Sequence, residues 1–305
     1  MNTQSNALPD HALQAEAVTP VPASGLQLLL WSVRRELWEY RFLYIVPIVI
    51  AGIALLAFTF SAFVGIWEPR LRLYPAQPQA PYDLVAGLLM GADILVTVFY
   101  CLDALYGERR DRSILFWKSL PVSDSIAVLS KAAIPLAVMP LIAFAVTVAL
   151  HWLMLMVSLL ALAAGGQSIA QFWANLHLLQ IWLLLLYHLV TAHALWPAPV
   201  YCWLLLVSAW ARRAPFLWAA VPVLVITVIE RIVFGTWRFS LLVISRLFGD
   251  TPTPAHTMEG TIPLNPATHI TPGRFLAAPG LWIGFLLAAV FLAAAIRLRR
   301  YQGPI

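Results

Sequence analysis

Charged residues are scarce in this chain. Asp, Glu, Lys and Arg make up 11% of its 305 residues, where soluble domains carry about 25%. Hydrophobic residues reach 61%, more than a soluble fold can keep from water, so lipid must be the solvent for most of the chain. The apolar runs are unbroken and about twenty residues long, whereas a β-barrel would show alternating segments of about ten. We therefore expect an all-α, polytopic membrane protein.

Cysteines are few, and the common catalytic motifs are missing. Cys101 and Cys202 lie inside apolar runs, which predicts buried thiols and no disulfide framework. No Gly-Lys pair occurs, so the chain has no P-loop for ATP, and neither His-Glu-x-x-His nor Gly-x-Ser-x-Gly is present. We expect no enzyme activity, cofactor or metal in this chain. The net charge of +5 lies at helix ends, which favours lipid headgroups over nucleic acid as the partner.

The apolar runs predict a tail and one transmembrane domain. Residues 1–25 are polar and rich in Pro and Ala, without the basic region of a signal peptide, which is typical of a disordered cytoplasmic tail. Residues 26–305 form a single domain. Its six predicted spans are residues 43–66, 84–106, 126–160, 176–210, 216–234 and 276–296. Outer loops are expected at residues 67–82, 163–175 and 249–273.

Residues 26–42 place apolar and charged side chains on two faces of a helix. Val33 and Tyr40 fall near the apolar face, and Arg35 and Glu36 are expected on the charged face. This pattern predicts an amphipathic helix on the cytoplasmic surface of the membrane. The alternative is that the segment extends the first transmembrane helix into the cytoplasm.

Prolines and a second amphipathic segment interrupt the apolar pattern. Pro135 and Pro140 are expected to kink the third span. The fourth span is expected to break or bend at Trp196–Pro199. Residues 236–248, between the fifth and sixth spans, are amphipathic and are expected on the outer side.

Basic residues are distributed unevenly between the two predicted sides. The thirteen on one side are Arg34, Arg35, Arg41, Arg109, Arg110, Arg112, Lys118, Lys131, Arg212, Arg213, Arg297, Arg299 and Arg300. The six on the other side are Arg70, Arg72, Arg231, Arg238, Arg246 and Arg274. Because a basic excess marks the cytoplasmic side, both termini are predicted there.

Polar residues inside predicted spans are functional candidates, because they are costly in lipid. They are Asp93, Asp103, His151, His188, His193, Glu230 and Arg231. Asp93, the deeper acid, could bind a coupling ion or substrate, or could form an interhelical hydrogen bond or pair with a basic neighbour. Asp103 is expected to meet the basic stretch that follows it. The histidines are expected to make polar contacts between helices, and Glu230 and Arg231 to form a local pair or line an external gate.

The most charged segment is Tyr106–Lys131, YGERRDRSILFWKSLPVSDSIAVLSK. It mixes acids and bases with Ile114, Phe116 and Trp117, which is more apolar surface than a simple connector needs. We interpret the segment as a cytoplasmic docking surface. Lys131, at its end, is expected to snorkel to the membrane interface as an anchor.

The run from Phe99 to Lys131 resembles part of the bacterial ABC-2 type transporter permeases, most closely over Glu108–Ser123, ERRDRSILFWKSLPVS. Those permeases end their second span in acidic and basic residues, continue into a cytoplasmic coupling helix, and then enter the third span. The amphipathic N-terminal helix, the six spans and the outer amphipathic segment fit the same layout. The proline-broken fourth span and the absence of a large external domain depart from it.

The resemblance implies a membrane-spanning permease subunit of an ATP-driven exporter in the bacterial inner membrane. It implies pairing with an identical or sister permease, and two ATPase subunits that bind ATP and Mg. Residues 112–120 would form the coupling helix, ended by Pro121. Ile114, Phe116 and Trp117 would enter an apolar groove of the ATPase. The expected charged contacts are Glu108, Arg109, Arg110, Asp111, Arg112 and Lys118. Apolar faces of the first, second and fifth spans would line the pathway, which favours a hydrophobic or amphipathic substrate.

Two other functions are compatible with the sequence. An ion-coupled secondary transporter would carry protons on Asp93 and on His188 or His193. Such a transporter is expected to contain internal repeats, and none is evident between residues 43–160 and 176–300. The other alternative is a non-transporting membrane anchor or assembly factor, which needs no motif of its own.

Overall fold

The computed structural model describes residues 24–67, 78–119, 122–166, 168–248 and 272–305. In these ranges the regular structure is entirely helical, and six helices are long and apolar enough to cross a membrane. The prediction of an all-α, multi-pass membrane protein is therefore confirmed. The predictions for residues 1–23, 68–77, Leu120, Pro121 and 249–271 fall outside the described residues.

The described α-helices are, in chain order, α1 (Gly25–Glu39), α2 (Phe42–Trp67), α3 (Ala80–Asp103), α4 (Tyr106–Arg110), α5 (Ser113–Ser119), α6 (Asp124–Ala133), α7 (Met139–Ala164), α8 (Ile169–Asn175), α9 (Leu178–His188), α10 (Ala198–Trp210), α11 (Pro215–Phe234), α12 (Arg238–Phe248), α13 (Pro272–Ala277) and α14 (Pro279–Tyr301). Two π-helical turns, Ile134–Val138 and Leu189–Leu195, follow α6 and α9. The crossing candidates are α2, α3 with α4, α6 with α7, α8 with α9, α11 and α14.

Helix α1 is separate from the first span. Its first turn is closed by a capping box, in which Ser24 and Gln27 exchange side-chain-to-backbone hydrogen bonds. At its other end Tyr40 leaves helical geometry, with φ −103° and ψ 66°, before α2 begins at Phe42. The alternative that this segment simply extends the first span is therefore wrong.

The third and fourth spans are interrupted where the sequence places proline. Pro135 lies in the π-helical turn after α6, and Pro140 lies in the first turn of α7. The fourth span divides at Trp196–Pro197, as predicted. The predicted loop at 163–175 is wrong in part, because Ile169–Asn175 form α8.

The break in the fourth span leaves one backbone carbonyl open. In a regular α-helix the Val200 N–H would donate to the Trp196 carbonyl. It donates instead to the Pro197 carbonyl, at 2.8 Å, because Pro197 and Pro199 carry no N–H and disturb the ladder. The Trp196 carbonyl is therefore available to a side chain from another helix.

The helices pack around α3, α7 and α10. Helix α10 packs along α14 and α3, and α2 packs on α7 and α3. Leu105, Val128, Ala209 and Ala295 form one buried cluster, which brings together the ends of α3, α10 and α14 and the start of α6. We call this the charged end of the bundle, and the opposite one the far end. Helix α11 buries only Ala219 within the chain.

A candidate functional site at the charged end

Four buried charged side chains meet at the charged end. Lys131 Nζ lies 2.9 and 3.0 Å from the Glu36 carboxylate oxygens and 3.1 Å from Glu108 Oε1. The other oxygen of Glu108 pairs with Arg299. None of the four residues is more than 5% exposed. Two acids and two bases thus neutralise one another away from water, where an unpaired charge is costly. We call these four residues the buried ionic cluster.

Arg35 and Tyr100 are further partners of Glu36 and Glu108. Arg35 pairs with Glu36 and lies 3.0 Å from Glu108 Oε1. Tyr100 donates its hydroxyl to Glu36 Oε2 at 2.9 Å. Although partial burial opposes the effect, the Glu36 and Glu108 carboxylates raise the pKa of Arg35. Arg35 therefore remains a cation at the edge of the cluster.

The buried ionic cluster joins helices that are far apart in the sequence. Glu36 lies on α1, Glu108 on α4, Lys131 on α6 and Arg299 on α14. Asp124, at the start of α6, adds a contact of 3.3 Å to Arg299 Nε. These helices adjoin the first, second, third and sixth spans. A displacement of one of these helix ends must carry the others with it or separate buried charges.

Arg109 holds the end of α10 at the same place. Its guanidinium donates to the carbonyls of Ala209 and Ala211, the latter at 3.1 Å, where helix carbonyls lack backbone donors. Nearby, Ser208 Oγ accepts from the Leu105 N–H at 3.0 Å. The last turn of α10 is thereby fixed against the end of α3.

Helix α5 lies beside the buried ionic cluster and begins one residue later than predicted, at Ser113. Arg112 has a φ of 58°, in the left-handed region, and forms the turn between α4 and α5. Ile114 is 1% exposed, whereas Leu115 and Phe116 are 58% and 59% exposed. The apolar surface that α5 offers to a partner thus consists of Leu115 and Phe116.

Trp117 and Lys118 attach α5 to the rest of the site. The Arg35 guanidinium lies 3.8 Å from the centroid of the Trp117 ring, which is a cation–π contact. Lys118 Nζ donates to the carbonyls of Arg300 and Gln302 at 3.4 and 3.0 Å. Helix α5 is therefore bound both to α1 and to the end of α14.

Three of the predicted docking residues are unavailable to a partner. Glu108, Arg109 and Ile114 are buried within the chain, so their predicted place on a docking surface is wrong. Arg110 and Asp111 are exposed and pair with each other at 3.0 Å. The sequence shows that this segment is charged and amphipathic. Which of its residues are buried and which are exposed depends on the helices that pack against it.

Sequence reasoning also misplaced Lys131 and missed Glu36 and Arg299. Lys131 does not snorkel, because its side chain is fully buried and paired with two carboxylates. Glu36 is not on the exposed face of α1, since Val33 and Tyr40, three and four residues away, share its side of the helix. That spacing was the signal that could have found Glu36. Arg299 carried no such signal among the arginines near the C-terminus.

His151 links three of the crossing helices near the far end. Trp182 Nε1 can only donate, so its 3.1 Å bond to His151 Nδ1 requires that nitrogen to be unprotonated. The proton of the neutral ring is then on Nε2, which donates to the Tyr82 carbonyl at 3.0 Å. The predicted polar contact between helices is confirmed for His151.

The other two histidines differ from each other. His193 Nε2 lies 3.3 Å from the Met90 carbonyl, which is again a contact between helices. His188 Nδ1 lies 2.9 Å from the Leu184 carbonyl, one turn back in its own helix. The predicted interhelical contact is therefore not formed through Nδ1 of His188.

The two acids of α3 have different surroundings. Asp93 is 2% exposed, and its Oδ1 has no hydrogen-bond partner within the described part of the chain. The predicted interhelical hydrogen bond is thus not formed through that oxygen. Asp103 Oδ1 lies 3.7 Å from Arg110 Nη1, so the predicted contact with the basic stretch is confirmed.

Glu230 serves as the cap of α12. Its carboxylate accepts from the Thr236 hydroxyl at 2.6 Å and from the N–H groups of Arg238 and Phe239, each at 2.8 Å. These bonds satisfy donors that the first turn of a helix leaves open. The predicted local pair with Arg231 is not formed.

No metal site or known relative identifies the function directly. Within the described ranges, no group of three or more His, Cys, Asp or Glu side chains could hold a metal ion. Comparisons with protein-family models, curated proteins and solved structures found no match. The feature of the structure that points to a function is the charged end, where α5 exposes Leu115 and Phe116 beside the buried ionic cluster.

Proposed function

We propose that the chain is the membrane-spanning permease subunit of an ATP-driven exporter of the ABC-2 type in the bacterial inner membrane. The observation that carries this proposal is the position of α5, which exposes Leu115 and Phe116 beside the buried ionic cluster. A partner that binds α5 and moves it would also displace the buried ionic cluster, and through the cluster several spans at once. In this proposal the charged end, with both termini, faces the cytoplasm, and α1 lies on the membrane surface.

A separate subunit supplies the energy in this mechanism. The sequence contains no P-loop, so ATP and Mg bind to two ATPase subunits on the cytoplasmic side. Phe116 enters an apolar groove of the ATPase with Leu115 beside it, and Arg110 and Asp111 lie at the rim. Trp117 stays stacked on Arg35 and transmits the movement of α5 to α1.

A second permease, identical or a sister chain, completes the translocation pathway. Helices α2 and α11 have the smallest buried share of the six crossing candidates, which supports a partner that covers them. Their outward side chains are apolar, for example Phe60 on α2 and Ile232 on α11. A pathway bounded by such faces favours a hydrophobic or amphipathic substrate over a small ion.

The test is co-purification with the ATPase subunit that the proposal requires. We expect Phe116→Ala to reduce ATPase recovery and ATPase stimulation, because Phe116 is the largest exposed apolar group on α5. The variant protein should remain monodisperse, since Phe116 contributes little to the fold. Leu160→Ala removes a 65% exposed apolar side chain from α7, a helix with no proposed partner contact, and serves as the control. Wild-type recovery and stimulation with Phe116→Ala would overturn the proposed contact.

A second candidate is an ion-coupled secondary transporter. It is favoured by Asp93, whose buried Oδ1 lacks a partner among the described residues, and by Thr97, one turn away, whose Oγ1 also lacks one. Proton flux into proteoliposomes that contain the purified chain alone, read with a pH-sensitive dye, separates the two candidates. Flux without any ATPase that is lost in Asp93→Asn would replace the exporter proposal, and the absence of flux would exclude the alternative.

A further inference from the structure

A large apolar cavity lies between α3, α10, α11, α12 and α14. Its volume is about 860 Å³, within the range of roughly 300–1,000 Å³ that is usual for ligand pockets. Arg246, on α12, is the only charged residue among those that line it. Several lining side chains, such as Leu224, Leu242 and Leu287, are also exposed on the outer surface of the chain. The cavity is therefore reachable from the lipid.

Backbone groups fix Arg246 in one position at the cavity. Nη1 donates to the Trp196 carbonyl at 3.2 Å, which is the carbonyl opened by the proline break. Nη2 donates to the Gly280 carbonyl at 2.6 Å, and the guanidinium lies 4.1 Å from the centroid of the Trp196 ring. Gly284 permits this approach, because a Cβ there would come within 2.8 Å of Nη1.

The charge of Arg246 has no counter-ion in the described part of the chain. Its hydrogen-bond partners are neutral carbonyls, and no described carboxylate lies within 4.0 Å of its guanidinium nitrogens. Burial lowers the pKa of Arg246, as expected for a partly desolvated cation without an anion nearby. A carboxylate or phosphate brought to this point would gain charge-assisted, bidentate hydrogen bonds.

The position of Arg246 along α14 indicates where the charged group of a ligand would lie. Arg246 contacts Gly280, the second residue of α14, so it lies at the far end of the sixth span. Leu287 and Phe291, seven and eleven residues further along α14, continue the apolar lining of the cavity from there. A ligand with one anionic group at the end of an apolar chain matches this arrangement, and a long-chain carboxylate is the simplest such molecule.

We propose that this cavity binds a long-chain carboxylate, with the carboxylate paired to Arg246 and the alkyl chain among the apolar side chains of α10, α11 and α14. The site does not depend on the exporter function. It would exist equally in a transporter of another class or in an assembly factor. Its test therefore uses the purified full-length chain without any ATPase.

The experiment measures binding of radiolabelled palmitate to the purified chain in a nonionic detergent by scintillation proximity. Competition with unlabelled palmitate, hexadecanol and phosphatidylglycerol identifies the headgroup. We expect palmitate to compete and the other two to compete poorly. Equal competition by hexadecanol would overturn the ionic part of the proposal. Equal competition by phosphatidylglycerol would overturn the choice of a carboxylate.

Variants locate the two ends of the ligand. We expect Arg246→Gln to weaken palmitate binding about tenfold, since one charge-assisted hydrogen bond is of that size. Arg246→Lys, which keeps the cation, should retain the preference for palmitate over hexadecanol even if the fold is somewhat weakened. Arg238→Gln removes the same charge from an exposed position of α12 and should bind as the wild type does. Wild-type affinity in Arg246→Gln would overturn the site.

A matched pair on α11 tests the alkyl chain. Val223 lines the cavity, whereas Val225 lies on the other side of the helix and is 45% exposed. We expect Val223→Trp to abolish palmitate binding by filling the cavity, and Val225→Trp to leave it unchanged. Binding that survives Val223→Trp would place the chain elsewhere and overturn the proposal.

Discussion

Lys131 Nζ lies 2.9 and 3.0 Å from the two carboxylate oxygens of Glu36, although 95 positions separate these residues. Both side chains are fully buried. The contact fixes α1 against the start of the third span, so α1 cannot move independently of that span without leaving a charge unpaired. Together with Glu108 and Arg299, this pair connects α1, α4, α6 and α14, so we expect these helices to move together at the charged end.

The first prediction concerns the loss of the central cation. We expect Lys131→Met to lower the free energy of unfolding by about 3–5 kcal/mol, because two buried carboxylates lose the cation that they share. Lys118→Met removes the same side chain from an exposed site and is the control, with a much smaller loss. Thermal unfolding of the purified proteins in detergent measures both.

A double variant that removes one charge of each sign tests whether the unpaired charge causes the lower stability of Lys131→Met. Glu36→Gln combined with Lys131→Met removes one charge of each sign, so we expect the double variant to unfold at a higher temperature than Lys131→Met alone. A double variant that is weaker than the single one would show that packing, rather than charge balance, dominates at Lys131.

The second prediction concerns the attachment of α5. We expect Trp117→Ala to destabilise the protein by about 0.5–2 kcal/mol, because Arg35 loses the ring on which it stacks. Trp117→Phe keeps an aromatic face and should lose less. Phe116→Ala, with its ring 59% exposed, should leave the unfolding temperature unchanged. Equal losses for Trp117→Ala and Phe116→Ala would contradict the assignment of Trp117 to the inside and Phe116 to the outside.

The third prediction concerns the bond between His151 and Trp182 near the far end. Either His151→Phe or Trp182→Phe breaks it, so the two changes together should be less harmful than the sum of the single changes. We expect a coupling of about 0.6–1.7 kcal/mol, the size of hydrogen bonds between membrane helices. His188→Phe combined with Trp182→Phe is the control pair and should be additive, because His188 bonds within its own helix.

The fourth prediction concerns the glycine beside Arg246. A Cβ at Gly284 would lie 2.8 Å from Arg246 Nη1, so Gly284→Ala forces the guanidinium to give up a carbonyl. Ala is the better helix former at both positions, so the lost hydrogen bond is measured against a control. The control is Gly52→Ala, where the new Cβ has nothing within 4 Å. We expect Gly284→Ala to be less stable than Gly52→Ala by about 1 kcal/mol, each measured relative to the wild type. Equal changes in stability for the two variants would contradict the packing of Arg246 against α14.

Local patterns gave a good account of the helices. Apolar runs of bilayer length predicted the crossing segments, since lipid forces every spanning segment to satisfy its own backbone. Proline at positions 135 and 197 predicted the interruptions, because the missing N–H acts within one turn. Local patterns failed at loop 163–175, where Ser168 caps the short helix α8 in a segment that contains two glycines.

The sequence by itself determined that this chain is an all-α membrane protein with charges gathered at one set of helix ends, because those properties follow from composition and from spacing within single helices. Only the tertiary structure decided which charges are inside. Glu36, Glu108, Lys131 and Arg299 are stable in the interior because partners from four separate helices neutralise one another. Arg246 likewise is held by carbonyls from two distant segments, one of which is opened by the break in the fourth span.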